Sequence, residues 1–383
     1  LGPRVNALSP PRLRRAAERE ARPAHSGAWY RLAQFVTGRP AQVAVASTAV
    51  LIALGIPFTQ IRFITADERV LPPGASAHEV HDALDTQFPP NRTTPLEVVV
   101  GARVSSPEVR ALTERIGRLP DVSAVAPAQP AGRQASLLQV APVHGPVTGS
   151  TEELVREVRA IHTPYYLGVA GQTASYLDLE HSLGAHLPAV LAVVVGATLI
   201  VLFLMTGSVV LPIKAVLMNA LTLSAVFGIL VLIFQRGNLQ GLLGYQSLGA
   251  LDATQPILLF AIGFGLATDY GVFLLSRIKE AHDAGAPDSE AVALGLERSG
   301  RIVTSAALLF AVAVGAFATS QIVFIKELGI GAALVVLLDA SIVRALLVPS
   351  LMALLGSANW WAPRPLRRLH ERIALREGAP QAA

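Results

Sequence analysis

Six apolar stretches, each long enough to cross a lipid bilayer as a helix, dominate the sequence. A hydrocarbon core about 30 Å thick is spanned by roughly 20 apolar residues in an α-helix. Charged residues make up only 15% of the chain, whereas soluble domains carry about 25%. The sequence therefore predicts a membrane protein with six transmembrane helices, at residues 41–58, 187–205, 211–234, 256–275, 302–322 and 330–355.

Arginines and lysines predict the side of the membrane on which each loop lies. Cytoplasmic loops of membrane proteins carry an excess of these residues. Six crossings place three basic segments on one side, namely residues 1–40, 277–301 and 357–383. We therefore predict a multi-pass protein of a bacterial cytoplasmic (inner) membrane, with both termini in the cytoplasm. Because the bases cluster beside the spans, the net charge of +4 does not indicate a nucleic-acid partner.

The long segment between the first and second spans is predicted to fold as an extracytoplasmic α+β domain. Strand and helix patterns alternate in the order β-α-β-β-α-β, the split βαβ plan. The strand patterns lie at 96–102, 122–126, 135–140 and 166–171, and the helix patterns at 106–119 and 150–161, with a further helix at 76–88. The predicted division is a basic linker, the first span, the outer domain, five further spans and a basic tail, at residues 1–40, 41–59, 60–184, 185–356 and 357–383.

Asp269 is the first candidate functional residue. A charge at the bilayer centre costs at least ~2.5–3.5 kcal/mol, so an ionisable residue inside a span is expected to serve a function. Asp269 lies in the glycine-rich stretch 263–277 of the fourth span. Glycines let a neighbouring helix approach closely, so we predict that Asp269 faces protein and that three glycines pack against helices: Gly263, Gly265 and Gly271. A buried carboxyl group can bind and release protons, and Tyr270 can donate a hydrogen bond to a facing carboxylate. The alternative is an Asp that only joins helices.

The other intramembrane polar residues are predicted to be supporting ones. Asp339 and Arg344 are five positions apart, which is about 140° around an α-helix. We therefore predict no ion pair within the helix, a bond from each residue to another helix, and a structural role for both rather than a relay. Thr304 and Ser305 can bond a carboxylate or their own helix. The polar residues 277–290 are predicted to form a helix lying along the cytoplasmic surface.

Several kinds of chemistry are excluded or disfavoured by the residues. The chain has no cysteine, which excludes disulfides and thiolate catalysis. It has no phosphate-loop lysine, and the Gly263-Phe264-Gly265 triplet follows no strand. His78 and His81 lie one turn apart without an evident third ligand. We therefore predict no enzyme activity, no metal and no cofactor.

A faint internal repeat bears on the extent of the chain. Residues 1–15 are similar to residues 355–368, which directly follow the sixth span. Repeated halves are common in transporters, although basic, proline-rich segments can also be similar by chance. The first forty residues contain no signal-peptide core. We therefore expect this chain to be the C-terminal half of a two-half protein, or a natural half-transporter.

The stretch GFGLATDYGVFLLSRIKEA at residues 263–281 resembles the signature of the mycobacterial-membrane-protein-large (MMPL) family, within the resistance–nodulation–division (RND) superfamily. Further similar segments are residues 70–72, 88–89, 203–219, 338–344, 348–352 and 355–363. The resemblance covers nearly the whole chain. It implies half of an RND transporter, with six helices and one extracytoplasmic porter domain.

The resemblance also implies an activity. The expected function is export of lipids or other hydrophobic compounds, driven by the proton-motive force, with protons as the coupling ion and Asp269 and Tyr270 in the proton relay. The chain departs from the family pattern because it lacks a first half, so the expected partner is a matching N-terminal half or a second copy. Two alternatives stay open: a protein-translocation auxiliary of the same superfamily, and a lipid- or sterol-sensing protein that does not transport.

Overall fold

Within the part of the chain that the structure describes, six helices are long and apolar enough to cross a membrane, which agrees with the predicted number. The computed structural model of the protein describes residues 27–64, 70–72, 74–87, 94–146 and 148–373. The six spans are Pro40–Gln60, Gln172–Thr206, Val210–Gln235, Gln255–Asp283, Asp288–Thr319 and Val323–Trp360. Each is longer than its predicted apolar stretch, because the helices continue into polar residues at one or both ends.

In chain order, one α+β unit lies between the first and second spans. The helices are α1 (Ala28–Gly38), α2 (Pro40–Gly55), α3 (Ser76–Gln87), α4 (Pro107–Ile116), α5 (Gly149–Arg159), α6 (Gln172–Thr206), α7 (Val210–Leu230), α8 (Gln240–Leu243), α9 (Gln255–Asp283), α10 (Asp288–Gly315), α11 (Val323–Leu338), α12 (Val348–Leu355) and α13 (Arg364–Ile373). The strands are β1 (Phe63–Ile64), β2 (Leu96–Val100), β3 (Val122–Val125), β4 (Gln129–Pro130), β5 (Ser136–Pro142), β6 (Leu167–Ala170) and β7 (Leu251–Asp252). A π-helical segment, Asp339–Leu347, joins α11 to α12.

The α+β unit has the predicted β-α-β-β-α-β order, with the two-residue strand β4 added before β5. Its sheet is antiparallel in the order β3-β5-β2-β6. Alternate residues of β2 are buried, as expected for a sheet with one face against helices. Side chains from β2, α4, β5 and α5 form one core that includes Val98, Leu112, Leu138 and Leu154. The assignment of this unit to the outer side of the membrane stays a prediction.

Helix α6 connects the α+β unit to the bundle without a break. It starts two residues after β6 and runs for 35 residues, about 52 Å at 1.5 Å per residue. The hydrocarbon core takes only about 30 Å of that length. Arg159 of α5 binds both carboxylate oxygens of Asp178 in α6, at 2.7 and 2.9 Å. The α+β unit is therefore held to the start of a spanning helix.

A short ladder joins the segment after the first span to the segment before α9. Strand β1 follows the first span, and β7 precedes α9. The two pair in parallel over two residues each. Backbone hydrogen bonds of 2.9 Å join Leu251 N to Arg62 O and Ala253 N to Ile64 O.

The polar segment 277–290 does not form a separate surface helix, so that prediction is wrong. Helix α9 continues to Asp283 and α10 begins at Asp288, so the segment extends two spanning helices. The Lys279–Asp283 ion pair, 2.8 Å and four residues apart, supports the extension of α9. The chain then turns at Gly285, whose φ of +91° suits glycine. The amide of Ala286 donates to Ala281 O at 3.1 Å, which closes a Schellman cap.

Candidate functional site

Asp269 is the central residue of the 29-residue helix α9, and its side chain is exposed on the surface of the chain. Leu258, Ala261 and Gly265 are exposed on the same side of α9 at helical spacing. Tyr270, the next residue, is half-buried. The described residues therefore do not cover the Asp269 side chain. That Asp269 faces protein stays a prediction, which requires a further protein surface on this side of α9.

The three candidate glycines have different surroundings. A Cβ atom at Gly263 would lie 2.8 Å from Val335 Cγ1 and 3.0 Å from Leu223 Cδ2, so α9 packs closely on α11 and α7 there. At Gly265 a Cβ atom would meet nothing within 4 Å, and at Gly271 it would lie 3.9 Å from Arg344 Nη1. Within the described residues, only the first of the three is a position of close helix packing.

This difference predicts unequal effects of adding a side chain. Gly263→Val in the isolated chain is expected to lower the free energy of unfolding by about 1–3 kcal/mol, because an added isopropyl group must fit between packed helices. Gly265→Val is the matched control and should have little effect, since its surroundings are open. Thermal unfolding of both variants in detergent measures the difference. Equal losses of stability would contradict the packing described for α9.

Asp339 and Arg344 form an ion pair within one helix, so the prediction that they do not is wrong. Arg344 Nε donates to Asp339 Oδ2 at 2.5 Å, and the residues are only 5% and 6% exposed. The reason is the π-helical segment Asp339–Leu347. Its backbone bonds run from residue i to i+5, so residues five apart come to the same side. The 140° separation applies only to a regular α-helix.

Arg344 also joins the sixth span to the helix of Asp269. Its Nη2 donates to Ala267 O of α9 at 2.6 Å, as predicted for a bond to another helix. The guanidinium lies over the Tyr270 ring, 5.6 Å from the ring centre, within the range of a cation–π contact. The structure thus brings three predicted residues, Asp339, Arg344 and Tyr270, into one cluster, with Asp269 directly beside it in sequence.

A cavity of about 40 Å³ lies beside the Asp339–Arg344 pair. Its lining is mostly apolar, but it includes Lys214 and Asn219 of α7 as well as the ion pair. A cavity of this size can hold water, which requires about 10–15 Å³. The bundle interior therefore contains a space in which a water molecule can contact ionisable groups of two spans.

Lys214 is an intramembrane residue that the sequence analysis missed. Its Nζ donates to Asn359 Oδ1 at 2.5 Å. Asn359 in turn donates to Met352 O and Gly356 O, at 2.7 Å each. Lys214 is the fourth residue of its predicted apolar stretch, 211–234. A lysine so close to the end of a span is expected to reach water. The sequence signal for this contact is Asn359, a polar residue just after the sixth apolar stretch. The sequence alone does not identify the residue that Asn359 binds.

Lys326 and Glu327 were also missed, because they fell in the predicted loop before the sixth span. Helix α11 instead begins at Val323, and the two residues are 4% and 3% exposed. Lys326 Nζ donates to the carbonyl groups of Leu243 and Gly244. Glu327 Oε2 accepts from the amide of Asp252 in β7 at 3.3 Å.

Tyr245 contacts the same end of the bundle. It lies between the third and fourth spans, and its hydroxyl donates to Ile233 O at 2.5 Å. Burial, together with the nearby Glu327 carboxylate, raises the pKa of Tyr245 to about 12. The phenol therefore stays protonated and keeps this hydrogen bond across the physiological pH range.

The remaining candidates lie apart from the cluster or outside the described part. Thr304 and Ser305 are both exposed on α10, and Thr304 borders a small pocket that Arg344 also lines. The side chains of His78 and His81 are not among those described. Among the described residues, no group of three or more His, Asp or Glu side chains is arranged to hold a metal ion. The absence of a cofactor stays a prediction.

Comparison with known proteins identifies the chain's relatives. The sequence model of the MMPL family matches residues 70–379. A putative membrane protein of Streptomyces coelicolor is 40% identical over 95% of this chain and 51% of its own length. The trehalose monomycolate exporter MmpL3 of Mycobacterium tuberculosis is 38% identical over 96% of the chain and 40% of its own length. The chain thus spans about half or less of these relatives, and it is a multi-pass membrane protein that belongs to the MMPL family.

Proposed function

We propose that the chain is one half of an exporter that moves lipids or other hydrophobic compounds across the bacterial cytoplasmic membrane, driven by the proton-motive force. The observation that carries the proposal is the position of Asp269. It is an acid at the centre of a spanning helix, on an open side, next to a tyrosine that Arg344 contacts. Ionisable residues inside membranes mark ion and substrate pathways. The relative named as a trehalose monomycolate exporter supports a lipid as cargo.

The coupling step is a change in the charge of Asp269. A proton arriving from outside neutralises the carboxylate, which then no longer attracts a donor on a facing helix. The Arg344 cation lies over Tyr270 and donates a hydrogen bond to α9. Loss of the neighbouring negative charge therefore alters the electrostatic interaction between α9 and the sixth span. The membrane potential supplies about 2.3 kcal/mol per charge per 100 mV, so several protons or an added pH gradient drive a strongly uphill export.

The partner is a second six-span bundle that covers the open side of α9. An ionised side chain facing lipid is costly, and Ala261 and Gly265 leave room beside Asp269 for a closely packed helix. The relatives are about twice as long as this chain or longer, which favours a matching N-terminal half over a second copy. In this arrangement the α+β unit is the porter domain, and the substrate passes between it and the porter domain of the other half.

Dependence on the proton gradient tests the proposal directly. The full-length transporter is reconstituted in liposomes with a fluorescent lipid analogue, and appearance of the analogue in the outer leaflet is followed. Export is expected only when an imposed gradient drives protons in the opposite direction, and a protonophore should abolish it. Transport that persists without a gradient would overturn the coupling of export to protons. No transport in any condition would favour the alternative of a lipid- or sterol-sensing protein that does not transport. A deletion strain that fails in protein secretion but not in lipid export would instead favour the translocation auxiliary.

A further inference from the structure

Helix α13, which follows the sixth span, has one apolar and one basic side. At 100° per residue, Leu366 and Leu369 fall on one side of the helix, and four arginines fall around the opposite side: Arg364, Arg367, Arg368 and Arg372. All four arginines are exposed, and the two leucines remain 37% and 44% exposed. The rest of the described chain therefore leaves both sides of α13 largely uncovered.

The segment before α13 is fixed to the end of the bundle. Trp360 Nε1 donates to Asp288 Oδ1 at 3.2 Å, and its ring stacks on His282, with centres 4.4 Å apart. Asp288 is the first residue of the fifth span, and His282 is next to the last residue of the fourth. These contacts fix the chain just before α13 to the polar ends of α9 and α10, beyond the apolar stretches of those two spans.

Two further contacts locate α13 against the second span. The amide of Val209, in the turn after α6, donates to Trp361 O at 3.1 Å. The His370 ring lies edge-on to Phe203, with centres 5.7 Å apart, and Phe203 is in the last turn of α6. The contacts of Trp361 and His370 therefore anchor α13 to the turn between the second and third spans, where both apolar stretches end.

We propose that α13 binds anionic phospholipid headgroups of the leaflet at this end of the bundle, which is the cytoplasmic leaflet in the predicted topology. Leu366 and Leu369 enter the boundary of the acyl chains, as in other interfacial helices. The arginines bind lipid phosphates, for which the guanidinium group is suited in charge and shape. Trp361, 57% exposed just before the helix, adds a ring of the kind enriched at headgroup level. The proposal requires only that the spans cross a membrane, and not that the protein exports lipid.

The single acid of α13 does not cancel its charge. Glu371 lies 3.9 Å from Arg367, and both side chains are about two-thirds exposed, 66% and 68%. Exposed pairs of this kind are weak, so the arginine stays available. The other three arginines add to a positive surface that faces a negatively charged leaflet.

The absence of cysteine from this chain allows a clean test. A single nitroxide label is placed at Leu369→Cys, on the apolar side, and in a control chain at Glu371→Cys, on the basic side. Each chain is reconstituted in nanodiscs made either of phosphatidylcholine or of equal parts phosphatidylcholine and phosphatidylglycerol. Spin-label accessibility to oxygen, which partitions into lipid, is compared with accessibility to a water-soluble nickel chelate.

In the anionic discs, the label at position 369 should be reached by oxygen and protected from nickel, while the label at 371 should be reached by nickel. Arg367→Gln with Arg368→Gln should shift the balance from bound to water-exposed helix about five-fold per arginine. Equal burial at 369 in both kinds of disc would overturn headgroup binding. Nickel accessibility at 369 in both would overturn membrane binding altogether, and protection from both reagents would indicate a protein surface instead.

Discussion

Asp269→Asn in the full-length transporter is expected to reduce lipid export about 100-fold or more while the protein stays folded. Asparagine has nearly the shape of aspartate, but it cannot bind or release a proton. Removal of a positioned acid or base typically costs a reaction 10²–10⁴-fold, and no other acid lies in the apolar part of α9, residues 255–276. The measurement is gradient-driven export in liposomes, with the amount of reconstituted protein compared between variant and wild type.

The matched control is Asp283→Asn, the same substitution in the same helix. Asp283 is the last residue of α9, exposed and paired with Lys279 at 2.8 Å. Exposed pairs of this kind contribute only about 0–1 kcal/mol, so export should be close to that of the wild type. If Asp269→Asn exports as well as this control, the proton path does not include Asp269, and the proposed coupling is wrong.

Arg344→Met is expected to destabilise the protein by about 3–5 kcal/mol. It removes one partner of a buried ion pair and leaves the Asp339 carboxylate uncompensated. It also removes the bond to Ala267 O that joins the sixth span to α9. Asp339→Asn should cost less, because the amide oxygen can still accept from Arg344 while the arginine keeps its bond to α9. Urea or thermal unfolding in detergent measures both single variants.

The double variant Asp339→Leu with Arg344→Met separates stability from function. Replacing both members of a buried ion pair with apolar residues of similar size is often neutral or stabilising, so we expect unfolding close to that of the wild type. Export should remain low if the pair takes part in coupling, because the cation beside Tyr270 is gone. Stability and export that recover together would assign the pair a structural role only.

The number of spans could be predicted from sequence because membrane helices need long apolar windows, whereas their ends could not. Lys326 and Glu327 interrupt the apolar pattern, yet both are buried inside α11 because carbonyl and amide groups from distant loops bind them. Such partners come from residues some eighty positions away, and a hydropathy pattern contains no information about them. The extension of α9 and α10 beyond the predicted spans has a similar origin in side-chain pairs and a glycine turn.

The candidate site could be predicted as a set of residues but not as an arrangement. Asp269, Asp339 and Arg344 were found because ionisable residues in apolar stretches are rare and costly. The pairing of Asp339 with Arg344 was mispredicted because it depends on a π-helical segment, which the pattern of apolar residues does not predict. Lys214 was missed because a lysine close to the end of a span is usually explained by proximity to water.

The connection of the α+β unit to the bundle through α6 has a mechanical consequence. Helix α6 is about 52 Å long, of which roughly 20 Å extends past the hydrocarbon core. Pro188 lies inside the helix, at the start of its apolar stretch, where the missing amide hydrogen bond allows a bend. A tilt of only about 10° at its membrane end moves the other end by several ångströms. A small bend of α6 near Pro188 is therefore expected to displace the whole α+β unit, which the Arg159–Asp178 pair joins to the same helix.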